Sequence, residues 1–339
     1  MAKRKLNKRQ AWRIEKIQQE RIKRQQKKSI HLEDLNDDLG KEERGLIIAN
    51  YGNNLIVEEQ SGQHIRCQAR QNLGAIVCGD QVVWQRLPND EGVVVAVLER
   101  LSLLEKPGPR DTLKPVVANI DQIFVFSAIR PQLQFSLIDR YLVSAELAQI
   151  NVIIVLNKID LVPLEEKHET DHLLDLYRDM GYDVIYLSIK QNIGFEQLQA
   201  KLQNQVSILV GQSGVGKSST IKKLLPDLDI QIGALTSKNE LGKHTTSASR
   251  LYHLPTSGDI IDSPGVRDFG LWHLNKNRII YGFKEFRPFI GQCKFSDCSH
   301  THEPGCALLQ AVQDGHIHPR RLQSYFHIMH TIVEKENTT

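Results

Sequence analysis

Gly211-Gln212-Ser213-Gly214-Val215-Gly216-Lys217-Ser218 reads G-x-x-x-x-G-K-S. Ser207 to Val210 ahead of it has the apolar character of a strand, and Ser219 to Leu225 behind it reads as a helix. Strand, glycine-rich loop and helix together form the context in which this pattern binds phosphate. Glycines let successive backbone N–H groups turn inward on a β-phosphate, and the helix dipole adds to the attraction. Lys217 is then placed to reach the β- and γ-phosphates, and Ser218 Oγ to ligate Mg²⁺.

Asn157-Lys158-Ile159-Asp160 follows an apolar strand and so falls at its carboxyl end, where ligands bind in α/β sheets. A carboxylate there accepts both N1–H and N2–H of guanine, a donor pair that adenine lacks. Asp160 is the expected selector, with Asn157 bracing the loop and contacting the base edge and Lys158 packing over the ring. Ser188-Ile189-Lys190, after the strand ending at Leu187, fits a loop whose backbone meets guanine O6. Asp262 ends the strand at 259–261, a place for a carboxylate that holds Mg²⁺ through water, and Gly265 can offer its N–H to a γ-phosphate. Gly233 to Arg250 reads as a second mobile loop, with Thr245 or Thr246 as the Mg²⁺-sensing hydroxyl; the choice between them stays open. Val266 stands where a water-positioning glutamine usually follows the D-x-x-G glycine. Hydrolysis is therefore expected to be slow, with His244 the nearest candidate to position water and a plain surface loop the alternative. The base-recognition pair precedes the phosphate set, the reverse of the usual order.

Cys293-x4-Cys298-x-His300-x5-Cys306 offers three thiolates and an imidazole within fourteen residues. Soft ligands with no obvious open position describe a closed structural Zn²⁺ site. His302 is the second choice to His300. The metal would fold a module too small and polar to hold itself together.

These groups need elements to carry them. About five short strands between Gly45 and Leu103, with turns at Gly52-Asn53-Asn54, Ser61-Gly62 and Pro88-Asn89-Asp90, suit a small closed barrel of the oligonucleotide-binding (OB) type. No aromatic stripe for base stacking runs along them. Lys106 to Arg110 reads as a linker. Near-continuous apolar strands at 120–128, 151–156, 184–187 and 206–210, with helical spacing between, predict a buried parallel sheet. The division expected is a basic flexible arm (1–38), a five-stranded OB barrel (39–103), an α/β phosphate-loop domain (104–270) and a small, mainly helical zinc-binding domain (271–339).

The chain's net charge is +3, yet residues 1–30 carry 12 Lys/Arg against Glu15 and Glu20. An arm with ten excess positive charges on a net acidic body suggests RNA contact, a solubilising tail being the bland alternative. His316, His318, Arg320 and Arg321 open a C-terminal helix and offer a second RNA surface. No apolar run reaches membrane-span length and the N-terminus is not signal-like, so a cytoplasmic, membrane-free protein is expected. Five cysteines, three beside histidines, argue for metal over disulfides in that setting.

Apart from its N-terminal tail, the chain resembles the bacterial circularly permuted GTPases of small ribosomal subunit biogenesis. The resemblance rests on N-K-I-D at 157–160, G-Q-S-G-V-G-K-S-S at 211–219, G-K-H-T-T at 242–246, D-S-P-G-V at 262–266 and the Cys3His set at 293–306. It implies an OB barrel, a permuted G domain and a zinc module in a monomeric GTP hydrolase. It also implies a partner, the small ribosomal subunit and its rRNA late in assembly. Turnover would be slow, stimulated by the subunit, and would help late assembly factors leave. Val266, His244 and Ser188 match that pattern, while the middle position at Ile189 varies. An RNA-binding factor with a merely structural nucleotide is the rival reading; an ATP-dependent kinase conflicts with Asp160. Gly265, the last switch element before the zinc module, is expected to pass γ-phosphate loss to that module.

Overall fold

The computed structural model describes residues 40–52, 54–70, 73–88, 90–107, 112–131, 133–226, 249–263 and 276–336. The basic arm lies outside them. Strands β1 (Glu42–Asn50), β2 (Leu55–Glu59), β3 (His64–Ala69), β4 (Gln81–Arg86) and β5 (Gly92–Val97) form the expected barrel. β1 pairs with both β2 and β4, β2 with β3, β3 runs parallel to β5, and β5 returns to β4, which closes the ring. Inward residues such as Ile47, Val57, Ile65, Val82 and Val94 pack around the fully buried Trp84. The expected linker is partly strand. Lys106 and Pro107 belong to β6 (Leu103–Pro107), which pairs with β7 (Leu113–Ala118) in a separate hairpin.

The second unit is a sheet in the order β10–β9–β8–β11–β13–β12. Its strands are β8 (Gln122–Ala128), β9 (Asn151–Asn157), β10 (Asp183–Leu187), β11 (Val206–Gly211), β12 (Arg250–His253) and β13 (Asp259–Asp262). All but β12 are parallel. Every residue of β8 is buried, as a strand covered on both faces requires. Alternate residues feed two cores. Ile123, Val125, Ile154 and Ile208 meet helices α1 (Phe135–Ala148) and α2 (Leu164–Asp179) on one face. Phe124, Phe126, Ile153 and Ile185 meet α3 (Phe195–Leu202) and α4 (Lys217–Leu224) on the other.

The C-terminal module consists of α5 (Lys276–Ile279), two 3-10 turns at 280–282 and 284–289, α6 (Ala307–Gln313) and α7 (Pro319–Glu336). Its core of Phe283, Phe286, Leu308, Ile317, Tyr325 and Ile328 also takes in Val143 of α1. Beside that apolar contact Asp139 of α1 is fully buried. It receives hydrogen bonds from Arg321, Ser324 and Tyr177, the last at 2.8 Å, while Arg321 Nε reaches Glu285 at 2.6 Å. Arg321 was expected on an RNA-facing surface. It is wholly buried, because the helix turns it toward two carboxylates that would otherwise be uncompensated. His316 and His318 precede α7 rather than begin it, and the His316 ring stacks on Phe289.

Barrel and sheet share a core in which Ile48, Ala49, Ile56 and Cys78 join Ile208, Leu251 and Ile261. Ala49 of β1 also pairs with Arg250 of β12. At the rim of this joint His253 of β12 stands between two carboxylates, Nδ1 2.6 Å from Asp259 and Nε2 2.8 Å from Glu58 of the barrel. Hydrogen bonds to Asp259 and Glu58 raise the histidine from 6.5 to about 10. Burial pushes Glu58 up, but His253 and His64 outweigh it and bring it down to about 2. The histidine's contribution is therefore complete below pH 6.5, shrinks as pH rises through the interval above it, and is gone past about 10. With the histidine side chain half exposed, solvent screening keeps it small. His253→Gln should lower the thermal midpoint by about 2–4 °C near neutral pH. Thermal melts of both proteins from acid to alkaline pH should show that gap closing as pH approaches 10.

Candidate functional site

The carboxyl ends of the parallel strands form one ledge. Gly211 closes β11, Asn157 closes β9, Asp262 closes β13, and Ser188 follows β10 directly. Registers align them: Gly211 faces Phe126, Ala128 faces Asn157 and Asn157 faces Leu187. Phosphate-loop glycines take conformations that a side chain would strain. Gly211 and Gly216 hold φ of 133° and 99°. A Cβ on Gly216 would sit 2.2 Å from Asn157 Nδ2. Val215 is buried while Gly214, Ser213, Ser218 and Ser219 are exposed along the outer edge, with Gln212 half-buried. Lys217 Nζ donates to the Gly211 and Gln212 carbonyls at 2.7 and 2.6 Å, which holds the ammonium over the loop. Thr220, one turn into α4, donates back to the Gly216 carbonyl at 3.0 Å.

The two segments expected to recognise the base meet each other and the phosphate loop. Asn157 is 2 % exposed and its Nδ2 donates to the Val215 carbonyl at 2.8 Å. Its Oδ1 accepts the Lys158 N–H at 2.8 Å, setting Lys158 in a left-handed conformation with φ 60°. Lys158 Nζ reaches the Gly214 carbonyl at 2.5 Å. Ser188, fully buried, donates to Asp160 Oδ1 at 2.6 Å, so N-K-I-D and S-I-K form one contiguous wall. Lys190 is exposed beside it. Asp262 is exposed at the end of β13, next to the strand that leads into the phosphate loop. His244, Thr245, Thr246, Gly265 and Val266 lie outside the described residues.

Two supports had no motif to announce them. The Arg130 carbonyl, in the loop after β8, accepts a hydrogen bond from Lys158 Nζ at 3.1 Å. Lys223 of α4 reaches Asn192 in the loop after Ser188. Only the folded sheet brings these positions together, so no local spacing marks them.

A second cluster lies in the C-terminal module, where the ligating atoms of Cys293, Cys298, His300 and Cys306 all fall within 4.8 Å of one another. Cys293 Sγ to Cys306 Sγ is 4.0 Å, and His300 Nδ1 lies 3.5 and 3.4 Å from those two sulfurs. A tetrahedral ion with metal–sulfur bonds of about 2.3 Å and metal–nitrogen bonds of about 2.0 Å requires ligand separations of roughly 3.5–3.8 Å. The donor set and its spacing fit such an ion. His302 is turned away, its Nδ1 2.8 Å from Thr301 Oγ1. Glu303 fastens the knuckle by accepting the Ser299 and Thr301 N–H groups at 2.9 and 3.0 Å.

A phosphate loop at the centre of a parallel sheet, with its base loops upstream in the chain, defines a circularly permuted GTPase. A family model described as RsgA GTPase matches residues 97–272. A protein of Pseudomonas aeruginosa named small ribosomal subunit biogenesis GTPase RsgA is 47% identical over 338 residues, covering 99% of this chain and all of that one. One of the same name from Azotobacter vinelandii is 48% identical over 342 residues, with the same coverage. Among solved structures, YjeQ from Thermotoga maritima aligns with a TM-score of 0.71 at 29% identity, covering 86% of this chain and 99% of that one. YloQ, described as a circularly permuted GTPase, aligns at 0.67 and 28%, covering 87% and 96%. The chain belongs to the RsgA GTPase family and is a GTP-hydrolysing enzyme.

Gly216→Ala forces a side chain against Asn157 and into a strained φ. At about 1–3 kcal/mol of strain, guanine nucleotide should bind roughly five- to 150-fold more weakly. Titration with a fluorescent GDP analogue, alongside a thermal melt showing a retained fold, checks it.

Proposed function

We propose that this enzyme hydrolyses GTP during late maturation of the small ribosomal subunit, with the ledge at Asn157, Ser188, Gly211 and Asp262 as its nucleotide site. The Asp160–Ser188 hydrogen bond carries the reading, because it joins the two base segments into one wall beside the phosphate loop. Asp160 takes N1–H and N2–H of guanine, the Ser188–Lys190 backbone meets O6, and Lys158 covers the ring. Lys217 and the loop N–H groups stabilise charge on the β- and γ-phosphates. Ser218 and, through water, Asp262 hold the Mg²⁺ that arrives with GTP; both are exposed oxygen donors, the type this hard cation takes. His244 positions water where Val266 cannot, Thr245 or Thr246 senses the ion, and Gly265 senses the γ-phosphate.

The relatives' name supplies the partner. The basic arm and the exposed His318, beside a half-buried Arg320 that stacks on Phe135, supply surfaces suited to rRNA, and turnover is slow until the subunit engages. Leaving of late assembly factors would follow. Loss of the γ-phosphate at Gly265 is passed on to the zinc module. The module receiving that signal is held to α1 through Asp139, which accepts hydrogen bonds from Arg321 and Ser324. The Cys3His group takes one Zn²⁺, whose chemistry there is structural cross-linking of the knuckle.

Steady-state GTP hydrolysis should rise at least tenfold on adding purified small subunits. Lys217→Ala should remove both basal and stimulated turnover, by about a hundredfold or more. Turnover indifferent to subunits would overturn the reading. For the metal, elemental analysis should find about one zinc per chain, lost together with part of the thermal stability in Cys298→Ser. A folded, metal-free wild-type protein would exclude the zinc assignment.

A further inference from the structure

Helix α4 leaves the phosphate loop at Lys217, and on its last turn Lys223 reaches sideways to the loop after β10. Lys223 Nζ donates to Asn192 Oδ1, lies 3.5 Å from the Ile189 carbonyl oxygen and 4.4 Å from the centre of the Phe195 ring. The loop it grips is already closed at its mouth. Ser188 and Ile193 exchange two backbone hydrogen bonds of 3.0 Å, and the Gln191 N–H donates to Ser188 Oγ at 3.1 Å. Its tip carries Asn192 in a left-handed conformation with φ 57°. A tip of that kind needs an outside partner to keep its orientation.

We infer that Lys223 is a positioning residue for the O6 edge of the bound guanine. It sets the plane of the Ile189–Lys190 peptide and thereby where the Lys190 N–H points. The peptide unit is planar, so a carbonyl held on the Lys223 side leaves its N–H aimed the opposite way. The Lys223 ammonium sits over the Phe195 ring, whose face favours a cation, so it is held rather than free to wander. Because Lys223 sits on the helix that begins at the phosphate loop, base edge and phosphates are fixed to one rigid element. Asp160 reads the N1–H and N2–H edge independently of this contact. The inference rests on the base-site assignment proposed above.

Two nucleotide analogues separate the two edges. 6-Thio-GTP replaces O6 by a larger, weaker acceptor and keeps the edge that Asp160 reads. ITP keeps O6 and lacks the 2-amino group. Steady-state kinetics are compared for the wild type, Lys223→Met, Lys223→Arg and Asn192→Ala. Lys223→Met should raise KM for GTP about tenfold with kcat within about twofold, and should shrink the GTP over 6-thio-GTP preference about as much. The GTP over ITP preference should stay at its wild-type value. Asn192→Ala, a change confined to an exposed loop, should reproduce the effect, and Lys223→Arg should largely reverse it. An unchanged 6-thio-GTP preference in both Lys223→Met and Asn192→Ala would overturn the inference, as would equal loss of both preferences. A wild type with no preference for GTP over ITP would instead refute the base-site assignment itself.

Discussion

Buried at the end of β9, the Asn157 side chain gives one hydrogen to the Val215 carbonyl and accepts the Lys158 N–H. Its amide also fills the space against Gly216 that a side chain would need. A buried amide with both ends used is expensive to disturb, since either half left unpaired costs the full desolvation of that group. Asn157 thus fixes three things at once: the course of the phosphate loop, the left-handed turn at Lys158, and the direction in which Asp160 leaves to meet Ser188. The site is a set of loops that hold one another in place. Chain order is immaterial to that arrangement, because the contacts run across strand ends and not along the backbone. A permuted chain can keep the same ledge so long as β8, β9, β10, β11 and β13 keep their neighbours.

The same logic of shared burial makes one body from three units. The barrel contributes Ile48, Ala49 and Ile56 to a core that also contains sheet residues, and the C-terminal module packs on Val143. Apolar contact supplies most of the attraction, at roughly 25 cal/mol per Å² removed from water. The buried group at Asp139 adds selectivity of docking. Removing one member of such a buried set leaves an uncompensated charge, worth about 3–5 kcal/mol, so the module has one low-energy seat on α1. The His253 bridge at the barrel joint is weaker, being half exposed, and trims the joint rather than making it.

Motifs and periodicity made much of this legible in advance. The phosphate loop, the two base segments, the Cys3His spacing and the runs of apolar strand residues are local patterns, and local patterns report on backbone chemistry within a few residues. Barrel closure could be anticipated from five short strands and their turns. The failures share a cause. Lys106 and Pro107 read as a linker because proline and glycine punctuate the segment, yet they lie in β6, which pairs with β7. Arg321 read as a surface cation because arginine usually is one, and only the arrival of Asp139 and Glu285 from distant elements explains its burial.

By itself, then, the sequence determined the chemical repertoire: a glycine-rich loop of the phosphate-binding pattern, a carboxylate placed as guanine selection would need, and soft ligands spaced as a single ion would need. Those follow from residue types within short windows, where covalent connection sets the geometry. Tertiary structure decided how the pieces bear on each other. Val215 meets Asn157 from 58 residues away, Asp139 meets Arg321 from 182, and Lys223 meets Asn192 from 31. Such meetings depend on sheet order and on which face each helix covers. Those are settled by the burial of whole surfaces, and no short window of residues records that.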